Sequence, residues 1–497
     1  MKKYSKELTG EAGAPITGIA PGVSEPRGAV AYQDLWLLEK LSHFDRELIP
    51  ERRIFAKGWG AYGIFTVTGD ISRWSRSKLF EFTKKTELFV RFSRMMGERG
   101  SADAARDICG MACKFYTEEG NWDLLCTSSP VSFLRSADHF PDLCRAFGRD
   151  PRTGLYSAQN RWDFLTLMPE TFHQTTILMS DRGLPASFRE LHFYAGNTYS
   201  FYNEHNVRVW CKFHIIAQRD IRNLTDAEAA AQAAEDPDSR GRDLSFSIDE
   251  GDYPRWTMYV QIMTEEQSRS YAENPFDPTR VWPHGDFPLH EVGVIELRSN
   301  PANYFAEVEQ AAFSPAHTIP GIGFSPDQLL QSSLFACGDA QRYRLGVNYN
   351  EIPVNRPRCA VTDSHRDGFM RVGGNYGNRP SYNPNSQMDW APRPGVMEPP
   401  LAFFRRACDT DPFRAGGALW RILPEEKRAL LVENTARSMA TVTRNIKYRH
   451  AVHCIRADEE YGNRMAKALK LKPERVLELV NLTQEELVEA TLNPKMR

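Results

Sequence analysis

In residues 331–345, QSSLFACGDAQRYRL, the thiol of Cys337 stands between an apolar Leu-Phe-Ala run and a Gly-Asp step, with Arg342 and Arg344 just beyond. Cations near a thiol favour the thiolate, and a thiolate is a strong soft ligand, so this pattern fits a metal or cofactor ligand. The plainer reading is a buried cysteine that fills space. The other thiols offer no competing chemistry. Nine cysteines, at 109, 113, 126, 144, 211, 337, 359, 408 and 454, are odd in number and scattered, which is no disulfide framework. Cys109 and Cys113 are four apart, but no second pair follows at zinc spacing, so a structural zinc is not expected.

The elements that must position such a site belong to a large globular chain. Its 497 residues, 41% hydrophobic and 25% charged, can bury a full core. A formal net charge of −2 gives no electrostatic case for nucleic acid or an anionic membrane as partner. The amino-terminal stretch has basic residues but no apolar core behind them, no run is long enough to span a bilayer, and the cytoplasm is the default compartment.

Gly-Ala-Pro, Ala-Pro-Gly and Glu-Pro-Arg steps make the first fifty or so residues an extended arm. Alternation over residues 256–262 and 210–216 predicts two half-buried strands. Between them Thr225 and Glu228 form a capping box that opens an alanine-rich helix. From 300 to 416, stretches such as SPAHTIPGIGFSP, GGNYGNRPSYNPNSQ and APRPGVMEPP forbid long regular elements, yet carry too many aromatic residues for a linker, so this segment wraps, binds or assembles. Pro424 opens a helical tail, with Leu431, Val432, Thr435, Ala436 and Met439 in one stripe.

Five segments in order, KLSHFDRELIPERRIFAKGWGAYGIF, RFSRMMGERGSADAARDICGMACKFYTEEGNWDLL, NPFDPTRVWPHGDFPLHEVG, NPANYFAEVEQAAFSP and LFACGDAQRYRLGVNYNEIPVN, resemble the haem catalases over nearly the whole chain. The resemblance implies an α+β fold: an arm with the first helix (1–54), an antiparallel eight-stranded β-barrel haem domain (55–299), a wrapping segment carrying the proximal ligand (300–416) and a helical domain (417–497), assembled as a homotetramer or dimer. It also implies haem b, with Arg52, Arg91 and Arg344 on the propionates, Phe140 on the macrocycle, and Ile54 and Phe133 lining the pocket.

The family's catalytic positions are occupied differently here. Cys337 stands at the tyrosine that ligates iron, and Ser333 at the arginine beside it. Phe55 replaces the distal histidine, Thr127 replaces the asparagine, and Ser93, the histidine's hydroxyl partner, remains. Phenylalanine cannot move a proton, so negligible peroxide dismutation is expected. A thiolate ligand under an apolar distal wall resembles haem-thiolate enzymes. The expectation is therefore an oxidoreductase acting on a small organic molecule with oxygen or peroxide, as monooxygenase, peroxygenase or hydroperoxide-rearranging enzyme. Ser132, in place of a family phenylalanine, would enlarge the pocket, and Asp107 matches a channel carboxylate. The alternatives are a gas-binding haem protein, or a homologue without haem in which Cys337 and Phe55 merely pack. NADPH is implied by His173, Ser180, Arg182 and His284, while Ile216 and His192 depart from that site and weaken the implication.

Overall fold

The computed structural model describes residues 7–16, 35–363, 365–382, 384–387 and 411–492, so Cys408 and the APRPGVMEPP stretch lie outside the described residues. Two compact units are present, Met1–Glu51 and Arg52–Arg497. The first contains α1 (Leu35–Phe44).

The second is built on ten strands: β1 (Gly58–Val67), β2 (Lys85–Arg94), β3 (Cys109–Thr117), β4 (Gly120–Thr127), β5 (Phe193–Tyr194), β6 (Tyr199–Tyr202), β7 (Arg208–Ala217), β8 (Arg255–Thr264), β9 (His290–Ser299) and β10 (Ile322–Gly323). Eight of them close a barrel in the order β1, β2, β3, β4, β5, β7, β8, β9 and back to β1, every pair antiparallel, while β6 adds to β7 and carries β10. Closure is narrowest between β4 and β5, which are joined by the single pair Thr127 and Tyr194.

The strand period of two sorts the residues. On β2, Leu88, Val90 and Phe92 enter the barrel core with Phe65, Met111, Phe115, Trp122, Phe213 and Trp256. Their neighbours Phe89, Arg91 and Ser93 point outward, where later segments cover them. The predicted strands at 210–216 and 256–262 fall within β7 and β8, but they are buried on both faces instead of one. The reason is residues 275–287, which pack outside: Gln261 on the outer face of β8 is 1% exposed and donates to Trp282 O at 3.1 Å and Phe287 O at 2.6 Å.

Helices fill the remainder: α2 (Phe140–Phe147), α3 (Ala158–Leu167), α4 (Phe172–Met179), α5 (Asp226–Glu235), α6 (Ser239–Asp249), α7 (Glu265–Ser270), α8 (Gln328–Leu345), and a carboxy-terminal set, α9 (Arg414–Ile422), α10 (Glu425–Ser438), α11 (Arg444–Ala457), α12 (Glu459–Ala468), α13 (Pro473–Val480) and α14 (Gln484–Leu492). The Thr225–Glu228 capping box opens α5 as predicted. Pro424 caps α10, whose Leu431 and Thr435 are buried in a second core shared with α2, α3 and α4.

The segment 300–416 departs from expectation, because α8 is a regular helix of 18 residues. No proline falls between Pro326 and Pro353, and Asp327 caps the start by accepting from Leu329 N at 2.9 Å and Leu330 N at 3.1 Å. The helix runs straight through Gly338 and Asp339, so the Gly-Asp step after Cys337 makes no break.

Candidate active site

The outward faces of β1 to β4 carry the candidate residues. Strand register aligns Gly58, Ser93, Gly110 and Thr127 in one row across four strands, and Arg91, Ala112 and Leu125 in the row next to it. Phe55 reaches the first row from the segment before β1. Its backbone is held at φ 59°, a left-handed conformation unusual for an aromatic residue, with its N–H donating to Met95 O at 2.9 Å. The ring lies over Gly110, where a Cβ would come within 2.8 Å of both Phe55 Cε1 and Ser93 Oγ. Glycine at 110 is therefore what lets ring and hydroxyl share the space. Thr127 donates its hydroxyl to Ser129 O at 2.9 Å and keeps its acceptor capacity. Phe55, Ala112, Leu125 and Thr127 are only partly buried, so this wall of the barrel borders open space.

Three guanidinium groups converge beside it. Arg52 donates to Glu309 O and Ala311 O, both at 2.8 Å, and to Val308 O at 3.2 Å. Arg91 donates to Phe55 O and Ala56 O at 2.9 Å, a passage that requires glycine at 58, where a Cβ would stand 2.6 Å from the guanidinium carbon. Arg344 pairs with Glu309 at 3.0 Å, and Arg52 with the same carboxylate at 3.5 Å. Burial, then the charges of Arg91 and Arg344, push the Arg52 pKa well down, and burial brings Arg91 to about 10. Three cations against the one carboxylate of Glu309 leave a net charge of +2, and Arg52 Nη1, Arg91 Nε and Glu309 Oε2 are buried without hydrogen-bond partners. A buried surplus of that kind is costly unless an anion completes it. A haem with two propionates supplies two negative charges in the form guanidinium groups receive best, so the residues fit that group.

Helix α8 contributes the opposite side. Cys337 and Arg344 are seven residues apart, on one face and about 10 Å apart along the axis. Leu330, Gln341 and Arg344 on that face are buried, while Phe335, Asp339 and Tyr343 are exposed. Arg344 at the Glu309 cluster therefore fixes Cys337 on the inward face. Its thiol is not activated by Arg342 and Arg344, as the spacing suggested; burial, and then the Asp123 carboxylate, push it up to about 11. Ser333 bonds within its own helix, donating to Leu330 O at 2.7 Å.

The remaining candidates separate from this constellation. Phe133 and Phe140 belong to the second core, with Phe147 and the carboxy-terminal helices, and Phe140 begins α2. Ile54 is partly buried beside Phe55. Ser132 approaches Gly196, and its N–H donates to Pro278 O at 2.8 Å. Asp107 is a structural hub, accepting from Met96 N at 2.9 Å, Gly97 N at 3.1 Å and Ile108 N at 2.8 Å and pairing with Arg94 at 3.5 Å. Of the residues named for NADPH, His173 Nδ1 lies 3.4 Å from Thr279 O, Ser180 donates to Ile177 O at 2.7 Å, His284 packs edge-on against His214, and Arg182 donates its backbone N–H to Ser180 Oγ at 3.3 Å; His192, which departs from that site, accepts from Ala217 N at 3.1 Å through Nδ1. Glu309 had no assigned role, although NPANYFAEVEQ contains it. Its function rests on arginines far away in sequence, which no local signal reveals.

Two family models match the chain, catalase over residues 9–389 and catalase-related immune-responsive over 407–469. The catalase of Aliivibrio fischeri is 53% identical over 475 residues, covering 94% of this chain and 98% of its own, and that of Staphylococcus warneri is 50% identical over 483 residues, covering 94% and 96%. Among solved structures, a bacterial catalase superimposes with a TM-score of 0.89 at 37% identity over 95% of this chain and 97% of its own. Catalase A of Saccharomyces cerevisiae gives 0.88 at 37% identity, over 94% and 99%. These likenesses overturn the expectation of a haem-thiolate enzyme that acts on organic molecules and is not a true catalase. Relatives at 50–53% identity over nearly the full length are catalases, and a few altered side chains do not outweigh agreement on that scale. The monooxygenase, peroxygenase and rearrangement readings fall with it.

Proposed function

The chain belongs to the catalase family, and from that premise we propose that it binds haem b and disproportionates hydrogen peroxide to water and dioxygen. The observation that carries the reading is the charge surplus of Arg52, Arg91 and Arg344 around Glu309, beside the partly open wall of Phe55, Gly110 and Thr127. The haem iron supplies the two-electron chemistry that cleaves a peroxide bond. With haem bound, the three guanidinium groups would hold its propionates, and Cys337 of α8, once deprotonated, would be the thiolate offered to the iron.

Phe55 limits the open space and excludes water, but it takes up no proton. Proton movement between the peroxide oxygens falls to Ser93 Oγ and Thr127 Oγ1, together with water, since these are the hydroxyl groups of the row. General acid–base catalysis by a positioned side chain contributes about 10²–10⁴-fold, so turnover is expected to lie below that of a catalase with a distal imidazole by about that factor. No nucleotide role is assigned to His173, Ser180, Arg182 and His284.

Self-association is part of the reading. Phe335 and Tyr343 on the outer face of α8 are 72% and 78% exposed, and Phe369, Met370 and Val372 are 86%, 76% and 81% exposed. Asn348, just past α8, holds the second group close by donating to Phe369 O at 2.9 Å. Apolar exposure on this scale fits a surface covered by another copy. Among the described residues no helix is long and apolar enough to cross a membrane.

The test is oxygen release from hydrogen peroxide by the haem-loaded protein, with absorption spectra of wild type and Cys337→Ala recorded alongside. Oxygen release above that of free haem supports the activity, and none beyond free haem refutes it. An altered Soret band in Cys337→Ala supports the ligand assignment, and an unchanged one removes it.

A further inference from the structure

A cavity of about 420 Å³ lies between α5, α10 and the loop before β3, apart from the Arg52–Glu309 cluster. Three arginines line it, Arg106, Arg161 and Arg437, with Asp226 as the one carboxylate in the wall. Asp226 is engaged twice, by Arg106 at 2.5 Å and by Arg437. Arg106 is further committed to Leu178 O at 3.0 Å and Ser180 O at 2.5 Å, and Arg437 to Glu433 at 2.5 Å.

Arg161, on α3, differs. Its side chain makes no hydrogen bond or ion pair with any described residue, its Nε is buried without a partner, and its guanidinium lies 5.2 Å from the Phe147 ring centroid. The acid whose charge acts on it, Asp107, is already held by Arg94 and three backbone N–H groups. Three cations against Asp226 and Glu433 leave one positive charge without a counter-ion, and it resides on Arg161. Burial lowers the Arg161 pKa, and the more distant charges of Asp107 and Tyr156 offset only part of that loss.

We propose that this cavity binds a small oxyanion, a carboxylate or a phosphate, received by the Arg161 guanidinium, with Arg106 and Arg437 completing a cationic wall. A guanidinium presents paired donors to either oxyanion, and the volume lies in the range of small-molecule sites, about 300–1,000 Å³. The methyl groups of α5, including Ala233, supply the apolar remainder. None of the residues lining the cavity belongs to the Arg52–Glu309 cluster or to the wall of Phe55, Gly110 and Thr127.

Isothermal titration of the haem-loaded, full-length protein with sodium phosphate and, separately, sodium acetate, at constant ionic strength, tests the site. Saturable binding of at least one anion is expected, weakened about tenfold or more in Arg161→Gln, as loss of a charge-assisted hydrogen bond requires. Ala233→Phe, which fills the cavity without touching charge, should abolish it. Which probe binds identifies the class. Binding of neither anion to the wild type overturns the proposal, as does an affinity unchanged in Arg161→Gln. Should that variant fail to fold, unchanged affinity in Ala233→Phe overturns it equally.

Discussion

Replacing Phe55 by histidine should raise peroxide turnover, and the structure sets the terms. Phe55 sits at φ 59°, and histidine is among the residues that tolerate the left-handed region best, so the backbone neither gains nor loses appreciably. Imidazole is smaller than the phenyl ring, and the site is only partly buried, so desolvation of the new group is modest. The ring stands over Gly110 with Ser93 Oγ on the same side, close enough to orient one ring nitrogen and leave the other toward the open space. A positioned base returns about 10²–10⁴-fold, which is roughly 3–5 kcal/mol off the barrier. The assay is the initial rate of oxygen release at pH 7 for haem-loaded wild type, Phe55→His and Phe55→His/Ser93→Ala. The gain should shrink in the double variant, where the imidazole has lost its orienting hydroxyl. A Phe55→His protein that carries haem, melts like wild type and is no faster would refute the reasoning, because proton transfer would then not limit the reaction.

Other consequences concern buried charge. Burial lowers His450 and His453 to about 3 and His173 and His214 to about 4, against an ordinary 6.5. The unfolded chain therefore binds the extra protons: stability is full above pH 6.5 and falls as pH drops toward the folded values, by up to about 3 kcal/mol per imidazole near pH 4. Urea midpoints flat from pH 7 to pH 4 would contradict this. Glu309→Gln removes the carboxylate shared by Arg52 and Arg344, and should cost the haem-free protein about 3–5 kcal/mol while costing the haem-loaded protein less. Thermal melts of both forms check the difference. Lys114→Met leaves Asp123, fully buried and 2.6 Å from the lost ammonium, with only His317 as counter-charge, and should destabilise by about as much. Lys114→Met/Asp123→Leu should recover most of the loss in chemical denaturation.

Local signals were legible in the sequence wherever the physics is local. Alternation marked β7 and β8, and the Thr225–Glu228 pair marked the start of α5, because a two-residue period and a capping box act over a few residues. The ordered motifs brought out the family, its barrel and the three arginines. The same motifs misled on function: Phe55, Thr127 and Cys337 together pointed to haem-thiolate chemistry, but they are three positions of one site, whereas agreement across 475 residues with a catalase concerns the whole chain.

What only the tertiary structure decided is relational. Strand register, not sequence distance, put Ser93, Gly110 and Thr127 in one row, and barrel closure turned that row toward open space. Glu309 became the acid between Arg52 and Arg344 through a contact spanning 257 residues. The state of Cys337 was also set at long range. Two arginines follow it in the chain, yet helix α8 continues through Gly338, buries the thiol and brings it under the charge of Asp123, so its pKa rises instead of falling. Periodicity and caps are properties of a segment, but burial and net charge belong to whatever the fold gathers around a group.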